Sequence, residues 1–406
     1  MPATHRPKSA LNKILAGFRF PLLVLICLTL PFSILLNSAL ITLFSAVCLL
    51  EAILNRRRPT PNLQLLLPIG FYFVHFIGFF NSEVISATLF TLEQKLSLLV
   101  FPLAMSASPF SAEQQRAIRK IFIITVGVVC AWTFRNGFAV AWLDERIYDA
   151  LLVHRPYLGM YCVIAIFFTI SEINIQTGRT GKLLLGLLAC SFTAFLVVIV
   201  AKMAVVALVF VSFGYALFFL LVGRHFKKLV ILIVLCGTVL AAAFATSAAV
   251  RKAFTKATHF SSFAWDEYNP ILVNSLNIRF TLWDCSFHVL RTDHHWLYGA
   301  GPEDSQELLN DCYEQRLGKT FFSEQSLNSH NEYLTTWLNT GLVGLLVLVL
   351  NLLISLVVAI KRKDSTYFAF LLIIAVSCLT ESILSVQKGV VLYSLFNSLF
   401  LFKKTE

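Results

Sequence analysis

The sequence predicts an all-α polytopic integral membrane protein with about twelve transmembrane helices. Three observations carry this. Apolar residues make up 57% of the 406 positions and charged residues only 14%, with a mean hydropathy of +0.76; a soluble domain needs more charge to keep its surface wet. The apolar residues fall in blocks of roughly 17–25, the length that crosses a ~30 Å hydrocarbon core. Lys and Arg gather in short runs between those blocks rather than along one face, which is the pattern of cytoplasmic loops. The net charge of +11 therefore reports orientation in a membrane, and the reading excludes nucleic acid as a partner.

In chain order the spans are read at 20–36, 38–54, 63–80, 89–105, 121–142, 157–172, 183–200, 203–222, 229–247, 333–360, 366–384 and 389–402. Span 89–105 is the least regular, with Glu93 and Lys95 near its start and Pro102 near its end. Basic runs precede the first span (Arg6, Lys8, Lys13, Arg19) and follow the second (Arg56, Arg57, Arg58) and the fourth (Arg116, Arg119, Lys120). Others follow the sixth (Arg179, Lys182), the eighth (Arg224, Lys227, Lys228), the tenth (Lys361, Arg362, Lys363) and the last (Lys403, Lys404). Twelve spans put every run on one side, which is then the cytoplasmic side and carries both termini.

The chain divides into a membrane region of about nine spans over 1–247, a long loop over 248–332, and three spans over 333–406. The loop carries Trp265, Trp283, Trp296 and helix-like apolar spacing near 276–290, so it is expected to form a small folded cap on the extracytoplasmic side. Loops of this length are commonly functional. Cys285 and Cys312 lie in it, where an extracytoplasmic setting permits a disulfide. No internal repeat is visible, which weighs against an inverted-repeat transporter.

Candidate chemistry concentrates in and around this loop. Arg279 and Trp283 are four residues apart, on one helical face. A Gly299-Ala300-Gly301 turn follows, then Asn328-Ser329-His330-Asn331-Glu332-Tyr333 directly before an apolar span. Ser329 and Glu332 have the spacing of a capping box, which predicts that the tenth span begins at His330. A helix N-terminus favours an anion, and neutral imidazole over imidazolium. A histidine placed there suits general-base work on a hydroxyl.

Arg155, in His154-Arg155-Pro156-Tyr157, and Lys202, between two apolar stretches, fall on the same face as Arg279. Together the three cations suit a diphosphate, with Arg279 best shaped for bidentate contact. Glu381 sits within span 366–384 and is read as pairing with Lys388. His75 is read as a packing residue. The spacing of His288, His294, His295 and Cys285 matches no zinc-ligand pattern, and Gly299-x-Gly301 lacks the flanks of a nucleotide-binding loop, so neither a metal nor a cofactor is expected.

The ordered set Arg279-x-x-x-Trp283, Gly299-x-Gly301, His330-Asn331-x-Tyr333-Leu334 and Gly341-x-x-Gly344 resembles the O-antigen ligase and O-antigen polymerase superfamily of bacterial envelope proteins. The likeness concentrates in 275–345, and the span count and loop position extend it over most of the chain. The resemblance implies a C-type glycosyltransferase architecture with one long periplasmic loop in the bacterial inner membrane. It implies a metal-independent, inverting transfer of a glycan from undecaprenyl diphosphate. The acceptor is a hydroxyl of lipid A–core for a ligase, or another lipid-linked glycan for a polymerase. By the same resemblance His330 and Arg279 are the essential loop residues, while Lys202, Arg155, Trp283, Asn331 and Tyr333 contact diphosphate or glycan. Lys202 departs from the family, which carries an arginine there; the charge is kept and the fork geometry lost. One dominant loop leans toward a ligase; a polymerase, a protein O-oligosaccharyltransferase and a lipid-linked glycan transporter are the alternatives.

Overall fold

In the computed structural model the described residues are 10–56, 58–59, 61–137, 151–222, 275–292, 294–317 and 326–403, with 237, 241 and 245. Every regular element among them is helical. The first ten helices are α1 Ala10–Thr29, α2 Ile34–Leu54, α3 Leu63–Phe73, α4 Gly78–Asn81, α5 Ile85–Lys95, α6 Ser97–Ala107, α7 Ala112–Gly137, α8 Arg155–Ile175, α9 Arg179–Val198 and α10 Lys202–Val222. The cap contributes α11 Ser275–Arg291, α12 His295–Tyr298 and α13 Pro302–Leu317, and the chain closes with α14 Glu332–Lys361, α15 Ser365–Cys378 and α16 Gln387–Leu401.

Among the described residues eight helical stretches are long and apolar enough to cross a membrane, and Ile14–Thr29 and Ser365–Cys378 are shorter apolar helices. The chain is thus a multi-pass membrane protein. Apart from 237, 241 and 245, the expected span 229–247 lies outside the described residues, as does the start of the expected loop.

Several expected boundaries move, each for a local reason. Span 20–36 is crossed by a turn: α1 ends at Thr29 and α2 starts at Ile34. Pro31 cannot continue a hydrogen-bonded helix, and Ser33 caps α2 by accepting from the Leu36 amide. The buried Asn37 carboxamide locks that hairpin by donating to the Ile26 carbonyl at 2.8 Å and to Thr29 Oγ1 at 3.0 Å. Span 89–105 begins earlier, at Ile85, as α5 and α6 joined at Leu96. Span 366–384 ends early, because α15 stops at Cys378 and an irregular segment with one 3-10 turn, Ile383–Ser385, leads to α16.

Helices α8 and α16 form the centre. From Tyr157 to Ile170, and from Gly389 to Leu401, the described side chains are buried. A helix that is apolar all round has no wet face to present, so it is enclosed by others. Phe122 of α7, Phe168 of α8 and Phe396 of α16 lock this centre with ring centroids 5.1–5.9 Å apart. Outer helices turn large apolar side chains outward, such as Leu35 and Leu49 on α2 and Phe210 and Phe213 on α10, as lipid-facing surfaces do.

Residues from three of the basic runs hold polar groups at the ends of other helices. Arg19 lies 3.2 Å from Glu51 and donates to Ser108 Oγ at 2.6 Å. Arg116 lies 2.8 Å from Glu172, and Arg362 donates to the Phe400 and Leu401 carbonyls.

At the other ends sits the cap, which has its own small core of Leu282, Val289, Leu290, Leu309 and Tyr313 over Leu334 and Leu338 of α14. Cys285 of α11 and Cys312 of α13 form a disulfide, with Cα atoms 5.8 Å apart. The cap meets α14 through glycines. Gly299 and Gly341 both have positive φ, +76° and +68°, and a Cβ on Gly299 would lie 2.6 Å from the Gly341 nitrogen. That approach lets the Ala300 amide donate to the Leu338 carbonyl at 2.7 Å.

Candidate active site

The site is assembled from three segments distant in sequence: the start of α14, the face of α11, and the irregular segment after α15. The first departs from the capping-box expectation. Asn331 is the N-cap of α14, its side chain accepting from the Tyr333 and Leu334 amides, so the helix starts at Glu332 and not at His330. Ser329 Oγ instead donates to the Asn331 carbonyl at 2.9 Å and lies 2.6 Å from Thr335 Oγ1. The Glu332 carboxylate turns away from the helix start and accepts from the Leu384 amide at 2.8 Å. A cap oxygen two residues further along thus replaced Ser329, and Glu332 was drawn to a buried partner.

His330 therefore precedes the helix. Its backbone has φ +43°, a conformation a non-glycine residue rarely adopts and that costs on the order of 1–3 kcal/mol. The Asn328 side chain holds it there by accepting from the His330 amide at 2.9 Å. This geometry turns the imidazole toward the segment after α15, where His330 Nδ1 lies 2.8 Å from Glu381 Oε2. The other carboxylate oxygen, Oε1, accepts from Arg279 Nη2 at 2.7 Å, and Arg279 Nε donates to the Thr380 carbonyl at 3.0 Å. The expected pairing of Glu381 with Lys388 is thereby corrected: Lys388 Nζ reaches the Pro31 carbonyl at 2.9 Å, and Glu381 belongs to Arg279 and His330.

The Arg279 and Glu381 side chains are 12% and 10% exposed, while that of His330 is 24% exposed. The base candidate is thus the accessible member of the trio. Burial opposes ionisation of the Glu381 carboxyl. The hydrogen bond from His330, with the charge of Arg279, outweighs it and holds the carboxyl below its ordinary value. An imidazole that gives its Nδ1 proton to a carboxylate keeps the Nε2 lone pair for an incoming proton, the tautomer a general base needs.

Glu381 and Arg279 also line a recess with Arg155, Lys202 and the turn between α9 and α10. That turn is tight: Val200 has φ +52°, and its carbonyl accepts from Arg155 Nη1 at 3.3 Å. Three cations and one carboxylate facing one small space make a setting for an anion. The structure thus brings together four of the residues singled out in sequence, Arg155, Lys202, Arg279 and His330, through a fifth, Glu381.

The other three take different places. Asn331 caps α14. Tyr333 donates from its hydroxyl to the Ala375 carbonyl at 3.1 Å and borders an apolar groove between α14 and α15. Trp283 packs against the cap core with its ring 5.6 Å from that of Phe280. A cleft of about 730 Å³ between α2 and α6 is larger, but it sits among apolar side chains with only Arg56 and Arg58 as charged lining.

Glu381 is the functional candidate the sequence reading misplaced. Its signal was present: an isolated carboxylate inside an apolar stretch is a functional candidate by default.

Comparison with known families gives one finding. Residues 187–349 match the family model described as O-Antigen ligase, less than half of the chain but the part that contains every motif on which the resemblance rested. The resemblance to the O-antigen ligase superfamily is borne out by that match. The match includes Lys202, Arg279 and His330 and stops short of Glu381. No curated protein matched the chain.

Proposed function

We propose, from the O-antigen ligase match as premise, that this chain transfers a glycan from undecaprenyl diphosphate to a sugar hydroxyl of lipid A–core, with inversion at the anomeric carbon. The observation that carries the reading is the bridge His330–Glu381–Arg279, two of whose members line a cationic recess. His330 Nε2 takes the proton of the acceptor hydroxyl. The acceptor oxygen forms its bond to the anomeric carbon as the bond to the diphosphate oxygen breaks, and the lipid diphosphate leaves with the electron pair. Arg155, Lys202 and Arg279 face the charge that develops on the leaving diphosphate; one such well-placed donor is typically worth ~3–4 kcal/mol in the transition state. Glu381 holds the imidazole in its base tautomer. Asn331 and Tyr333 act by fixing the start of α14, and Trp283 by fixing α11 in the cap.

This reading places the recess on the periplasmic side of the inner membrane, with both termini cytoplasmic in a C-type glycosyltransferase arrangement. Two features support it. The basic runs lie at the opposite helix ends, and the Cys285–Cys312 disulfide fits an oxidising compartment. A polymerase using a second lipid-linked glycan as acceptor shares all of this chemistry. The single dominant loop favours the ligase.

Membranes containing His330→Ala or Arg279→Ala test the assignment. Both lose transfer; normal transfer by both rejects it. Lipopolysaccharide gels of a deletion strain separate the two acceptors: a ligase null shows core without O-chain, whereas a polymerase null keeps core bearing one repeat unit.

A further inference from the structure

A second charged pair lies outside the recess. Lys95 ends α5 and Glu332 opens α14; their side chains are 3% and 1% exposed, with Nζ and Oε1 4.0 Å apart. Both close on the backbone of one residue, Leu384. Lys95 Nζ donates to the Leu384 carbonyl at 2.5 Å, and the Leu384 amide donates to Glu332 Oε2 at 2.8 Å. Ser385 Oγ adds a bond to Glu332 Oε2 at 3.2 Å, and Thr336 Oγ1 one to Oε1 at 3.1 Å. The Phe71 ring centroid lies 5.6 Å from Nζ. Neither Lys95 nor Glu332 lines the recess. Burying two charges at this depth is costly, and an apolar pair would pack there at less cost.

We propose that Lys95 and Glu332 are positioning residues for the transfer reaction. They clamp the segment after α15 so that Glu381 meets His330. The inference rests on the function proposed above. Residues 379–386 carry Glu381 with only one 3-10 turn, Ile383–Ser385, of regular structure, so side chains must set their position. Glu332 follows His330 by two residues, on the helix whose start places the imidazole. One carboxylate therefore ties the base to the segment that bears its orienting partner. Lys95 holds the carbonyl of the same residue. Smaller bonds run parallel: Thr335 Oγ1 lies 2.8 Å from Ser382 Oγ, which donates to Asn328 Oδ1 at 3.3 Å, and Asn328 Oδ1 also accepts from the His330 amide. A shift of ~1 Å in such a constellation costs up to about a hundredfold in rate.

The test uses purified full-length protein, a defined lipid-diphosphate glycan donor and saturating acceptor. Glu332→Gln lowers kcat about ten- to a hundredfold and leaves the donor KM within about twofold. On a Glu381→Gln background the same change costs less than about threefold more, because it acts through Glu381. Lys95→Met/Glu332→Leu removes both charges together; it keeps the wild-type melting temperature, and its kcat falls to a similar extent. Wild-type kcat in that folded double variant overturns the proposal, as does a loss carried by KM alone. A loss that multiplies fully with Glu381→Gln overturns it too, since a merely structural role would do that. His330→Ala separates the two ideas. An active His330→Ala rejects the function; an inactive one beside a full-rate Lys95→Met/Glu332→Leu rejects only the clamp.

Discussion

His330 Nδ1 lies 2.8 Å from Glu381 Oε2, although the two residues are 51 positions apart and lie on separate non-helical segments, one before α14 and one after α15. That contact gives the imidazole a defined tautomer. It also joins the base candidate to Arg279 through a single carboxylate. Because both bonds share the Glu381 carboxylate, altering any member of the trio is felt by the others.

Glu381→Gln keeps the size of the side chain and removes its charge. Turnover falls about a hundredfold with little change in donor KM, because the imidazole loses its orienting partner while the cations of the recess remain. Steady-state kinetics on purified protein give the answer; a rise in KM with kcat intact would assign Glu381 to binding instead.

Arg279→Lys keeps the charge and loses the fork. One ammonium must then serve both the Glu381 carboxylate and the Thr380 carbonyl that the guanidinium now holds. Transfer drops about ten- to a hundredfold. Arg279→Ala is worse for the fold, since it breaks a mostly buried ion pair at a cost of about 3 kcal/mol. Thermal melts of the two variants side by side separate the effects: Lys melts close to wild type and Ala well below it.

Gly299→Ala places a methyl group against the Gly341 backbone at a residue whose φ is +76°. Strain of about 1–3 kcal/mol is expected from the dihedral alone, and the contact adds to it. The melting temperature falls and transfer is lost together, because the crossing of Gly299 over α14 fixes the cap that carries Arg279. A Gly299→Ala protein with wild-type stability and rate would remove the cap from the account.

Glu381 also predicts a pH dependence. Its carboxyl lies below the ordinary value of 4.5 in the folded protein. A depressed folded value adds stability that is present above the unfolded value and lost as pH falls through the folded one. Melting temperature in detergent therefore holds as the buffer is lowered toward pH 4.5 and declines below it. In Glu381→Gln that part of the decline is absent.

Much of the architecture was legible because hydropathy reports burial directly. Apolar blocks located most helices, and α14 begins and ends within a residue of its expected span. Breaks were harder to see where apolar residues continue across them. Ile383 and Leu384 prolong the hydropathy of span 366–384, yet they lie in an irregular segment where the Leu384 amide bonds to Glu332. The same blindness merged α1 with the start of α2.

At the site, residue types were legible and partners were not. His330, Arg155 and Lys202 stood out as ionisable groups at the ends of apolar stretches, and Arg279 stood out on a helical face of the loop. Lys388 looked like the partner of Glu381 because it is near in sequence, whereas the true partners come from folds 51 and 102 positions away. Ser329 and Glu332 had the spacing of a cap, but Asn331 supplied a better-placed oxygen. Glu332 then answered to Lys95, which lies on another helix and which no local pattern connects to it.

The most direct measurement is single-turnover transfer by purified protein from a defined undecaprenyl-diphosphate glycan to its acceptor, comparing wild type with His330→Ala. The account predicts glycosylated acceptor and released lipid diphosphate in equal amounts for wild type. For His330→Ala it predicts a rate at least about 10²-fold lower, the usual contribution of a general base. Equal rates for the two proteins would contradict it.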